Sequence, residues 1–186
     1  MNSLLKFSTL CLAFLIAFSC TEAPKSTTSE KTASQNNADS IAITDAVHNF
    51  YKWYDAFTQD QNRNINYVDS KGKASKLDMA QVAVYHAELM KSGFLSKTYF
   101  DNDLTYLKKY EAEWQKNNEN NEEGPLSGLD YDRIFCGQDW DLATYTTGAL
   151  KLNGLGTNQV KTLIGTNKLE LAKENGKWLI AKIDCE

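Results

Sequence analysis

The chain has 186 residues, a formal net charge of −4, and 42% hydrophobic and 11% aromatic side chains. A mildly acidic chain without a Lys/Arg cluster argues against nucleic-acid binding and against a polybasic membrane patch. The length beyond Ser40 suffices for one domain with its own core.

Residues 1–19 have the three-part layout of an export signal: Lys6 supplies the positive start, Phe7 to Phe18 run almost wholly apolar, and the small Ser19 precedes Cys20. The apolar run is about a dozen residues, short for a permanent span of a ~30 Å hydrocarbon core. Ile16-Ala17-Phe18-Ser19-Cys20 resembles the lipobox read by lipoprotein signal peptidase. The resemblance implies cleavage before Cys20, lipid on that cysteine and a membrane as the first partner. Competing readings are a secretory signal with a chance cysteine, or a short membrane anchor. Residues 21–40 hold no Val, Ile, Leu, Met, Phe, Trp or Tyr, so they cannot bury enough apolar surface to repay ordering. With Cys20 they read as a flexible tether, residues 20–40, ahead of a domain over residues 41–186.

Four cysteines become two once Cys11 leaves with the signal and Cys20 takes lipid. Cys136 and Cys185 then enter an oxidising compartment, where pairing is the default and two buried thiols the alternative. A disulfide there would contribute roughly 4 kcal/mol through loop entropy.

In the domain, Thr44 is the expected N-cap of a first helix whose aromatic face holds Val47, Phe50, Tyr51, Tyr54 and Phe57. A second helix is expected from Leu77 to Lys91, with Leu77, Val82, Leu89 and Met90 in the core and Gly93 as its stop. A third covers Lys97 to Lys116 with Tyr99, Phe100, Leu104, Leu107 and Trp114, and a solvated loop follows to Gly128. From Trp140 strands are expected: Leu142 to Leu152, a long strand or bent pair from Asn158 to Ala172 with a bulge or break at Gly165, and Lys177 to Ile183. Asn175-Gly176 is a two-residue hairpin turn that pairs Leu171 with Ile180. That register puts Leu169, Leu171, Trp178 and Ile180 on one face and Ala172, Leu179, Ala181 and Ile183 on the other. Three helices followed by an antiparallel sheet make an α+β fold with helices packed on a curved sheet. Neither face is fully polar, which leaves room for a partner, or a second copy of the chain, on the outer side.

Three segments carry a family resemblance: Phe50-Tyr51-Lys52-Trp53-Tyr54, then Leu129-Asp130-Tyr131-Asp132 with Phe135-Cys136-Gly137-Gln138-Asp139-Trp140, and Gly176 through Cys185. Over residues 41–186 the chain resembles a family of bacterial exported proteins classed as a domain of unknown function. The Asp-Tyr-Asp and Gln-Asp-Trp segment is the most specific part. The resemblance implies a nuclear transport factor 2-like (cystatin-like) cone and an envelope location, and supplies no catalytic residues.

Cones of this kind often hold a pocket, and Tyr51, Tyr54, His86, Tyr131, Asp139, Trp140 and Trp178 are its candidate residues. A pocket enzyme needs an inward acid or base. His86 is the foremost candidate, but a structural, hydrogen-bonded histidine is the more economical reading, and His48 is a lesser one. Asp130, Asp132, Asp139 and Asp141 form the densest acidic cluster, yet Ile134 and Phe135 stand where a calcium loop needs a ligand and a glycine. Turn and strand-entry hydrogen bonds are the expected job of these carboxylates, so neither metal nor cofactor is expected. The leading expectation is a non-catalytic envelope lipoprotein that binds a small apolar ligand or an envelope protein. An isomerase- or hydratase-like enzyme and an inhibitor or immunity-type protein are the alternatives.

Overall fold

The computed structural model describes residues 27–60 and 65–185. The expected export signal and Cys20 lie outside them. Among the described residues, four helices and two antiparallel sheets follow in the order α1 (Thr27–Gln59), β1 (Val68–Asp69), β2 (Lys76–Leu77), α2 (Met79–Met90), α3 (Lys97–Asn117), α4 (Leu142–Thr147), β3 (Gln159–Ile164), β4 (Asn167–Glu174) and β5 (Lys177–Cys185). The fold is mixed α+β, with β1 and β2 forming a small hairpin and β3-β4-β5 the main sheet.

Helix α1 begins well before the expected cap at Thr44. Thr44 lies mid-helix and donates its Oγ1 hydroxyl to the Ser40 carbonyl at 2.9 Å. Residues 27–40, expected within a tether, are helical, whereas 21–26 lie outside the described residues. The physical reason is polar anchoring, which a count of apolar residues does not register. Asp39 is 7% exposed and accepts from Lys173 Nζ at 2.6 Å and from Trp178 Nε1 at 3.1 Å. Once the aromatic part of the helix has nucleated, adding turns toward such an anchor costs little.

The aromatic face lands as expected: Val47, Phe50, Tyr51 and Tyr54 are all buried. They join Ile164, Leu169, Leu171, Trp178 and Ile180 from the sheet in the main core. A smaller core of Leu77, Val82, Leu107, Trp114 and Leu126 lies between the β1–β2 hairpin and the C-terminal half of α3. Helix α2 starts after Asp78, whose carboxylate accepts from the amides of Ala80 and Gln81. Leu77 therefore falls in β2, and Met90, expected in the core, is 59% exposed at the helix end.

The expected strand from Leu142 to Leu152 is instead the short helix α4 and an irregular run. Asp141 caps α4 by accepting from the Ala143 amide and the Thr144 hydroxyl. Thr146 and Thr147 return their hydroxyls to the carbonyls of Leu142 and Ala143. Threonine-rich alternation thus serves a capped turn as readily as a strand.

The segment after Asn158 is a hairpin rather than one strand, closed by Gly165-Thr166 between paired Ile164 and Asn167. Gly165 has φ +56°, and a Cβ there would lie 2.7 Å from the Tyr145 hydroxyl, so the turn requires glycine. At the next turn, Leu171 pairs with Ile180 and Glu174 with Lys177, as the Asn175-Gly176 signal predicts. A β-bulge between Glu170 and Leu171 then shifts the register, so that Leu169 faces Ile183. Ile183, expected on the outer face, packs against the main core for that reason.

Candidate functional site

Between α3, the loop after Gly128 and the end of β5 lies a cavity of about 430 Å³. The loop is tied down by several hydrogen bonds and a disulfide. Asp132 accepts from the amides of Ile134 (2.8 Å) and Phe135 (2.7 Å) through Oδ1 and from the Tyr54 hydroxyl (2.9 Å) through Oδ2. The backbones of Asp132 and Gly137 exchange two further hydrogen bonds. Cys136, at φ +57°, is disulfide-bonded to Cys185, with 5.2 Å between the Cα atoms. Loop and strand end are thereby held together as two walls of one cavity.

This clamp presents Arg133 to α3. Its guanidinium pairs with Asp103, which is only 5% exposed, and lies 4.2 Å from the centre of the Tyr106 ring. The other oxygen of Asp103 accepts from His86 Nε2 at 2.8 Å. Burial opposes the positive charge of Arg133, but the Asp103 carboxylate beside it outweighs burial and holds the guanidinium protonated. Burial pushes the phenols of Tyr99 and Tyr106 above their ordinary range, so both remain neutral donors. Tyr106 donates to the Gly128 carbonyl at 3.0 Å. Its single proton being spent there, Tyr131 is the donor in the 3.1 Å contact between the two hydroxyls.

Of the candidate pocket residues, Tyr131 alone lines this cavity. Tyr51 and Tyr54 are core, Trp178 is buried on Asp39, and Trp140 stacks on Phe135 at 4.2 Å between ring centres. Asp139 is exposed. His86 is tied to Asp103, and His48 Nε2 lies 2.9 Å from the Gly148 carbonyl. In the acidic cluster Asp132 and Asp141 serve turns and a cap, while Gln138 donates to the Asp130 carbonyl at 2.9 Å. Among the described residues no cluster of three or more His, Cys, Asp or Glu is arranged to hold a metal ion. The same residues include no helix long and apolar enough to cross a membrane.

The residues that shape the cavity, Asp103, Tyr106, Lys109, Arg133 and Lys182, escape the sequence reading. Asp103 had a signal: it is the one acid at core spacing among Tyr99, Phe100 and Leu107, which marks a carboxylate that must find a buried partner. Arg133 had none, because its direction depends on the turn built by Asp132.

No family model, no curated protein and no solved structure matches the chain.

Proposed function

We propose that this protein is a cell-envelope lipoprotein, anchored through lipid on Cys20, whose domain binds a small molecule in the cavity beside α3 without transforming it. The observation that carries the binding reading is the cavity itself. Its volume of about 430 Å³ falls in the ~300–1,000 Å³ range of small-ligand sites. Its walls are fixed by the disulfide, the Asp132 turn and the buried Arg133–Asp103 pair. A preformed site of this kind lowers the ordering cost of binding. Against catalysis speaks the engagement of its acids: Asp103 is held by Arg133 and His86, and Asp184 by Lys182 at 2.6 Å. An acid or base so committed is poorly placed to accept a substrate proton.

The anchoring reading rests on the sequence of residues 1–20, and the disulfide is consistent with an oxidising compartment. The finer fold reading is a nuclear transport factor 2-like cone. It is supported by α1 packing across the main sheet and by the bulge in β5, a feature that bends strands.

Two experiments test the reading. Replacing Cys20 with Ser should move the protein from the membrane fraction to the soluble envelope fraction; unchanged firm membrane association would refute lipid anchoring. Nuclear magnetic resonance of the detergent-extracted protein with a library of small polar molecules should give saturable shifts at Asn102, Tyr106 and Tyr131. Binders that leave those residues unmoved, or a library without binders, would refute the cavity as the site.

A further inference from the structure

Taking the cavity to be a binding site, as proposed above, we infer that its ligand is a hydroxyl-rich ring bearing one negative charge, of the sugar-acid class. Three features of the lining lead there. The first is a shortage of hydrocarbon. Among the described residues, Ile183 is the single aliphatic side chain of the Val, Leu, Ile or Met type on the walls, whereas Tyr99, Tyr106, Tyr110 and Tyr131 all contribute. A fatty acyl chain or other hydrocarbon would meet phenol hydroxyls and charged groups along most of its length and would strip them of water without replacing it. Tyrosines instead offer flat apolar faces with polar tips, which suit a ring whose faces carry C–H groups and whose edge carries hydroxyls.

The second feature is the stock of hydrogen-bonding groups left over after the protein has used its own. Asn102 spends its Nδ2 on the Ala181 carbonyl at 3.1 Å, and its Oδ1 accepts from no group among the described residues. Tyr131 donates to Tyr106, so its oxygen keeps an acceptor lone pair. Thr105 donates to the Asp101 carbonyl at 2.8 Å and likewise keeps acceptor capacity. Arg133 and Lys182 supply donors. Several acceptors and donors within one small space match hydroxyls, each of which gives one proton and takes others.

The third feature is charge. Lys109, Arg133 and Lys182 line the cavity against Asp103 and Asp184, which leaves one positive charge in a chain whose overall charge is −4. Arg133 and Lys182 are matched by Asp103 and Asp184, so the surplus sits on Lys109. Lys109 is exposed at the rim with its ammonium 4.8 Å from the Tyr110 ring centre. Among the described lining residues Lys109 is thus the surplus cation, and a surplus cation at the mouth of a hydroxyl-compatible cavity selects a ligand with a single carboxylate at one end.

Equilibrium dialysis of the full-length protein in mild detergent against labelled D-glucuronate, D-glucose and benzoate tests the inference, with the Lys109→Gln variant beside the wild type. Lys109 is exposed, so the variant should fold, and circular dichroism verifies it. D-glucuronate should be retained saturably, D-glucose about fivefold more weakly, and Lys109→Gln should remove that preference. Equal retention of glucose and glucuronate would overturn the charge assignment. Retention of benzoate alone would overturn the sugar assignment while leaving a binding cavity in place. If none of the three binds while other library members shift Asn102, Tyr106 and Tyr131, the sugar-acid class is wrong and the binding reading survives. If no library member shifts them, both fall.

Discussion

At the scale of single residues, the molecule relies on buried polar groups that have been given partners. Asp103 and Arg133 have side chains 2% and 16% exposed, so removing the carboxylate strands a guanidinium in a low-dielectric setting. Asp103→Ala should therefore cost about 3–5 kcal/mol in urea denaturation, whereas Lys182→Ala, which breaks a half-exposed pair, should cost under about 1 kcal/mol. Asn167 has no exposed surface and donates to the Tyr51 hydroxyl at 2.7 Å and to the Ile134 carbonyl, while accepting from the Tyr145 hydroxyl at 3.3 Å. It joins α1, α4, β4 and the Asp132 loop through one amide. Asp39 sets an acid limit on stability. The hydrogen bond from Lys173 leads the lowering of its pKa; burial opposes this, and Trp178 adds to it. A carboxyl depressed in the folded state stabilises fully above its ordinary value of 3.8, and that contribution fades as pH falls through the lowered folded-state value. Wild type and Asp39→Asn should accordingly differ in Tm near neutral pH and converge in strong acid. A difference that grows on acidification would contradict the assignment.

At the scale of elements, legibility followed the range of the interaction involved. The extent of helix α3 is legible almost to the residue because its apolar spacing is local, whereas its cap emerges from the structure. Ser96 is 1% exposed and its Oγ accepts from the Tyr99 amide at 3.3 Å; Ser96→Ala should cost about 1 kcal/mol in thermal denaturation. The hairpin at Asn175-Gly176 was legible for the same reason. Strand β5 was legible only as far as its bulge, which depends on how Ala181 and Lys182 meet β4 and reverses the side on which Ile183 falls. Residues 142–147 look alternating to a strand reading, yet hydroxyls that bond back to the preceding turn let the same threonines sit in a helix. The first half of α1 was illegible because its anchor, Asp39, finds Lys173 and Trp178 more than a hundred residues later. The candidate site failed on the same ground. Its residues come from α3, a loop and β5, and of the expected pocket residues only Tyr131 lies on the cavity walls.

At the scale of the whole molecule, the disulfide holds together what the chain order separates. It ties the loop that presents Tyr131 and Arg133 to the strand end that presents Lys182 and Asp184, across a separation of 49 residues. Replacing both Cys136 and Cys185 with Ser should cost about 2–4 kcal/mol and loosen the cavity walls, read as faster hydrogen exchange at residues 131–137 and 182–185. If a small molecule binds between α3 and β5, filling that space should abolish its binding. Thr105 is exposed on the cavity side of α3, so Thr105→Trp should occupy the cavity while leaving both cores intact. Binding of the same small-molecule library should then be lost in the variant, with an unchanged circular dichroism spectrum and Tm. Undiminished binding to a folded Thr105→Trp protein would place the ligand elsewhere.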